Sequence, residues 1–256
     1  MKRHAFFFLA LLLIDFCFLL AQDPSRGPDS SESTRVPGIS MLAIPGKPFS
    51  GVDNIEWTRT LEDGTTITTH TTANLARDSQ GRMYRENHHF ASLDKKSPLY
   101  QINIYDPVTR SEITCSTTTM QCIIQDYKPR TFFETTPTGP IDEGNRFLAR
   151  ESLGSQVIEG VYTNGTRETT TVNPGVLGND RPLVSTREFW YSDELETNLS
   201  VTRTDPRNGK QAIWISNISR SEPDSHLFEI PIGYTIVRDY RASAKRKQNL
   251  GTTFGR

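Results

Sequence analysis

The sequence predicts a mainly-β fold: a large curved antiparallel sheet or half-open β-barrel of about nine to eleven strands, with one short helix. Three observations carry this. Turn signals recur at the spacing of a sandwich or barrel, among them Glu62-Asp63-Gly64, Asp78-Ser79-Gln80-Gly81, Asp106-Pro107-Val108-Thr109, Asn164-Gly165-Thr166 and Asp205-Pro206-Arg207-Asn208-Gly209. The runs between them are rich in Thr, Val, Ile, Tyr, Phe and Trp, which fit a pleated surface. Within those runs apolar and polar residues alternate, so each strand has one apolar and one wet face.

The chain opens on Met1-Lys2-Arg3 and an apolar run from Ala5 to Ala21. A short basic start followed by an apolar stretch is the layout of a secretory signal, so residues 1–21 are read as a signal peptide with cleavage after Ala21. Asp15 interrupts the run, and Cys17 is a candidate for lipidation, so a retained anchor and a lipoprotein stay open beside cleavage. The rest of the chain is then periplasmic or secreted. Residues 22–47 hold Pro24, Gly27, Pro28, Pro37, Gly38, Pro45 and Gly46 among polar side chains, the composition of a disordered linker.

Residues 48–238 form the predicted β domain. Ile55, Trp57 and Leu61 alternate with Asn54, Glu56, Thr58 and Thr60. Ile102 and Ile104 alternate with Gln101, Asn103 and Tyr105. Cys115 and Cys122, the two cysteines left after cleavage, flank the polar turn between two strand-like runs, and an even count in an exported chain predicts a disulfide across that hairpin. The best helical stretch runs from Ile141 to Leu153, with Asp142 and Glu143 near its start and Gly154 past its end. Residues 239–256 are basic, with Arg241, Lys245, Arg246, Lys247 and Arg256, and almost devoid of apolar side chains, so they read as a disordered tail.

Charge balance excludes some partners. Removing residues 1–21 takes away Lys2, Arg3 and Asp15, which leaves 27 basic and 29 acidic side chains, a net charge of −2. That gives no pull toward nucleic acid, and a membrane is met only through the signal segment or the basic tail. No cofactor is expected, because no glycine-rich phosphate loop opens a helix. No metal is expected either: no Cys/His set has zinc spacing, and His88 and His89 are neighbours on a strand and point to opposite faces. No nucleophile elbow occurs. Asp193, Glu194 and Glu196 follow Trp190-Tyr191-Ser192, and a hydrolase acting through them would need all three gathered in one cleft.

Residues 153–161, Leu-Gly-Ser-Gln-Val-Ile-Glu-Gly-Val, precede an aromatic segment Phe189-Trp190-Tyr191-Ser192 and a closing Leu227-Phe228-Glu229-Ile230-Pro231-Ile232-Gly233-Tyr234. Together these resemble the LolA/LolB-like outer-membrane lipoprotein carriers, and the chain is also similar to exported proteins common in acidobacteria. The resemblance covers about residues 153–236. It implies an antiparallel sheet wrapped around an apolar concavity, a short helix as lid, and acyl chains or lipidated proteins as cargo. The chain departs from that pattern in its lack of clear lid helices and its threonine-rich strands.

The leading expectation is a non-catalytic binding protein that holds a lipid-like or hydrophobic ligand on its concave face, with Trp57, Trp190 and Trp214 lining it. The alternative is a structural or interaction module of the cell envelope that meets a partner protein without a small-molecule ligand. The hydrolase comes third.

Overall fold

A computed structural model of the protein describes residues 38–128 and 136–239. The signal segment, most of the linker and the tail beyond Asp239 lie outside the described residues. Among the described residues, fourteen strands make one open, curved sheet. In chain order they are β1 (Phe49–Thr60), β2 (Thr66–Arg77), β3 (Met83–His88), β4 (Ala91–Ser92), β5 (Leu99–Asp106), β6 (Ser111–Ser116), β7 (Gln121–Asp126), β8 (Gly139–Ile141), β9 (Arg146–Ile158), β10 (Val161–Val172), β11 (Leu183–Ser192), β12 (Thr197–Asp205), β13 (Gly209–Ser219) and β14 (Thr235–Asp239). The number exceeds the nine to eleven expected because β4, β8 and β14 are only two, three and five residues long and leave little sequence pattern.

The strand order is β14-β7-β6-β5-β3-β2-β1-β13-β12-β11-β10-β9-β8, and β4 pairs with β2. Hairpin neighbours follow one another in each half, and β1 joins the halves by pairing with β13. All pairings are antiparallel except β14 on β7. Cys115 and Cys122 are direct partners on β6 and β7 and form the expected disulfide. Its short loop limits the stabilisation to about 2 kcal/mol.

The predicted helix over Ile141–Leu153 is a strand. A single 3-10 turn at Asp142–Gly144 is followed at once by the thirteen-residue β9. Its Leu148 is buried while Phe147 and Ala149 are exposed, a period of two. Asn164-Gly165-Thr166 is likewise not a turn; it lies inside β10 opposite Trp190. Gly165 is there because the Trp190 ring lies against it: a Cβ would stand 2.6 Å from that ring.

Each face of the sheet carries its own core, because side chains alternate along every strand. The inner face buries Phe49, Ile55, Leu75, Met83, Phe189, Leu199, Val201, Ile213 and Ile215. The outer face buries Ala76, Tyr84, Ile102, Ile104 and the disulfide beneath Phe228, which sits on a 3-10 turn at Ser225–Phe228 capped by Asp224. The resemblance motif Leu227–Tyr234 thus forms the cover of the outer core.

The inner core is closed by residues 38–47, predicted to belong to the disordered linker. They run as an extended strap over the sheet, with Ile39, Met41 and Leu42 buried. Buried polar groups hold the strap down. Arg77, wholly buried, donates to the carbonyls of Leu42 (3.1 Å), Lys47 (2.9 Å) and Leu195 (2.5 Å). Burial pushes its guanidinium down to about 10. Arg85 donates to the Ile39 carbonyl, and the Ile39 amide donates to Asp53. Gly38 passes so close to Arg85 and Asp53 that no Cβ fits there. The Pro/Gly punctuation masked the strap because its contacts are tertiary.

Candidate functional site

The registers of six strands align one row of side chains across the inner face. Arg150 of β9 pairs with Glu168 of β10, Glu168 with Arg187 of β11, and Arg187 with Arg203 of β12. Arg203 then pairs with Gln211 of β13, and Gln211 with Trp57 of β1. The parallel row two residues along each strand is apolar and buried: Phe189, Val201, Ile213 and Ile55. The polar row therefore marks the line at which the inner core ends.

Beyond that line the face opens into a cavity of about 310 Å³. Its lining reaches from β8 round to β1, which shows that this face is concave. Trp57, Ile141 and Leu148 supply apolar walls, Thr170 and Ser185 supply hydroxyls, and Arg146, Arg187, Arg203 and Arg207 supply guanidinium groups. Among the described residues two acids, Asp142 and Asp205, line it, and each is held by its own neighbour, Arg146 and Arg207 respectively.

Glu168 organises the row. Arg150 Nη2 lies 2.6 Å from its Oε1, and Arg187 Nη2 lies 2.5 Å from its Oε2. Burial works to raise this carboxyl, but the hydrogen bonds from Arg150 and the charge and hydrogen bond of Arg187 hold it below the usual carboxylate range. It is a fixed anion that sets the direction of two guanidinium groups. At the other end, the Trp57 indole N–H donates to the Asn208 carbonyl at 2.7 Å, and the Arg59 guanidinium stands 4.7 Å from the Trp57 ring centre. The ring is thereby fixed as a wall.

The three tryptophans named from the sequence are not brought together. Trp57 lines the cavity. Trp190 and Trp214 alternate with the buried positions of β11 and β13 and so face the outer side, where both flank Ser200 across β12. The arginines and Gln211 were missed. The signal for them was legible: each lies two residues from a core residue, on the same side of its strand. Arg187 precedes Phe189, Arg203 follows Val201, and Gln211 precedes Ile213. A charged side chain in the apolar phase of a strand is the mark.

The remaining candidates separate. Asp193, Glu194 and Glu196 occupy the β11–β12 turn and bind different partners: Asn164 on Asp193, Arg220 on Glu194 and Lys47 on Glu196. His88 contacts Glu86 at 2.9 Å and the Ser97 carbonyl at 2.8 Å, while His89 stacks on Tyr100. Among the described residues, no group of three or more His, Cys, Asp or Glu side chains is placed to hold a metal ion. No helix among them is long and apolar enough to cross a membrane.

No protein-family model matches the sequence, and no curated protein matches it. Solved structures do. A conserved protein from Thermus thermophilus is 10% identical, with a TM-score of 0.40, over 75% of this chain and 91% of that one. The LolA superfamily protein of Nitrosomonas europaea is 10% identical, with a TM-score of 0.29, over 73% and 91%. The lipoprotein LppX of Mycobacterium tuberculosis is 10% identical, with a TM-score of 0.29, over 70% and 90%.

Proposed function

We propose that this chain is an exported, non-catalytic binding protein that takes a lipid-like ligand into the open end of its concave face, against Trp57. The observation that supports this reading is the division of that face. The strap and the core side chains fill the apolar part themselves, and the cavity of about 310 Å³ beyond the Arg150–Trp57 row is of the size that small ligands occupy. Apolar walls from Trp57, Ile141 and Leu148 meet polar groups there, a combination suited to a molecule with two unlike ends. Among the described residues the lining holds no histidine, and its two carboxylates are each paired with an arginine, so no base stands beside a hydroxyl nucleophile. Binding is the chemistry such a lining supports.

A second reading, an interaction module of the envelope, draws on the open sheet, whose end strands are β14 and β8. Native mass spectrometry of the protein purified from its own envelope, followed by organic extraction, separates the two. A co-purifying lipid is the expected result. A clean apo mass, together with no uptake of added lauroyl lipids, would overturn the carrier reading in favour of the interaction module.

A further inference from the structure

We infer that the corner of the sheet where β14 ends the strand order docks on an anionic membrane surface. Ile232 and Met120 enter the head-group boundary there, and the basic residues beyond Asp239 meet the lipid charges.

Ile232 is fully exposed (101%), more than any other large apolar side chain among the described residues. It stands in the turn that leads into β14, which the Tyr234 amide closes by donating to the Pro231 carbonyl at 3.1 Å. The Thr235 amide donates to the Met120 carbonyl at 3.0 Å and so sets the β6–β7 turn against this one. Met120 on that turn, and Ile236 and Val237 on β14, are also exposed. No charged side chain interrupts either segment. Residues 230–237 read Ile-Pro-Ile-Gly-Tyr-Thr-Ile-Val, and residues 116–124 read Ser-Thr-Thr-Thr-Met-Gln-Cys-Ile-Ile. Exposed apolar side chains gathered in one place mark a surface that meets a partner or a membrane.

Two features select the membrane. Ile232 stands out from a turn, so a protein partner would need a pocket shaped to it, whereas the fluid boundary of a bilayer takes a projecting apolar side chain without one. The chain also runs from β14 directly into residues 240–256, which hold Arg241, Lys245, Arg246, Lys247 and Arg256 and no acid. Residues 22–239 carry 22 basic against 29 acidic side chains, so the excess of positive charge is confined to the segment that follows the apolar corner. An apolar contact and a basic run acting together hold a protein on an anionic surface, where either alone binds weakly and reversibly. Docking there would bring a carrier of lipid-like cargo to the surface in which such cargo resides.

The test is co-sedimentation of residues 22–256, free of the apolar run of the signal segment, with vesicles of phosphatidylcholine and with vesicles in which about a third of the lipid is phosphatidylglycerol. The chain is expected to sediment with the anionic vesicles, to stay in solution with the neutral ones, and to be released as salt is raised. Ile232→Ser is expected to weaken binding about tenfold. The fully exposed position lets that variant fold. Lys245→Gln, Arg246→Gln and Lys247→Gln together are expected to weaken it to a similar degree and to remove most of the salt effect. No binding to the anionic vesicles would overturn the docking, as would equal binding to both kinds with no salt effect. Binding that the triple variant loses and Ile232→Ser keeps would reduce the contact to charge and overturn the apolar corner. A dimer in sedimentation equilibrium that Ile232→Ser dissolves would assign the corner to a second copy of the chain and overturn the membrane. Failure here leaves the carrier reading standing, because ligand uptake is measured without a bilayer.

Discussion

Arg85 of β3 reaches over the inner face, past β2, and closes a 2.5 Å ion pair with Asp53 of β1. Asp53 is fully buried, and Arg85 is largely so. Burial raises the Asp53 carboxyl above its ordinary value, while the charge and hydrogen bond of Arg85 and the Ile39 amide act in the other direction. The same guanidinium group donates to the Ile39 carbonyl. One residue therefore neutralises a buried acid and ties the strap to the sheet.

Arg85→Met should be strongly destabilising for that reason. It leaves the Asp53 carboxyl buried without its cation and frees the Ile39 end of the strap. Loss of one partner of a buried pair costs about 3–5 kcal/mol. Urea denaturation of the mature chain measures it. The double variant Arg85→Met with Asp53→Asn should recover much of the loss, because no charge is then stranded; failure to recover would show that the strap contact, and not the charge, carries the cost.

Glu168 gives the acid limb of the stability curve. Its carboxyl is held below the ordinary 4.5 in the folded chain, so it contributes stability above that value. The contribution is lost as pH falls through the lower native-state value, where the folded chain must take up the proton it had excluded. Glu168→Gln should lower the melting temperature near neutral pH, by an amount equivalent to about 1–3 kcal/mol, and the two curves should converge in acid. Thermal melts across the acid range check this, and parallel curves would contradict it.

Gly165→Ala should cost about 1–3 kcal/mol through overpacking. The new methyl meets the Trp190 ring at 2.6 Å and the Leu153 Cβ at 2.9 Å. Trp190→Leu in the same chain should relieve the clash, so the two changes should couple in a double-mutant cycle of melting temperatures. Additive losses would mean that the ring does not rest on Gly165.

Period-two patterning was enough to locate most long strands. Ile55 with Trp57, and Ile102 with Ile104, stand on the faces their spacing indicated, and the Cys115–Cys122 hairpin closed as its turn suggested. Two local signals misled. Asp142, Glu143 and Gly154 looked like the ends of a helix, yet Asp142 and Glu143 form a tight turn with positive φ, and Gly154 stands at an irregularity of the β9–β10 pairing. Asn164-Gly165 looked like a hairpin turn, but its glycine serves a tryptophan in the next strand. In the second case a residue fitted to a side chain on the next strand, Trp190, imitated a local signal.

The sequence by itself determined the β class, the disulfide and the alternation that gives every strand two faces, because these depend on residues within a few positions of one another. Only the tertiary structure decided which faces adjoin. Strand order and register bring Arg187, Arg203, Gln211 and Trp57 into one row, although Trp57 lies more than a hundred residues from the others. They also send Trp190 and Trp214 to the opposite side and lay the strap of residues 38–47 over the inner core. Pairing between distant strands sets those positions, and a shift of one residue in any register would reverse them.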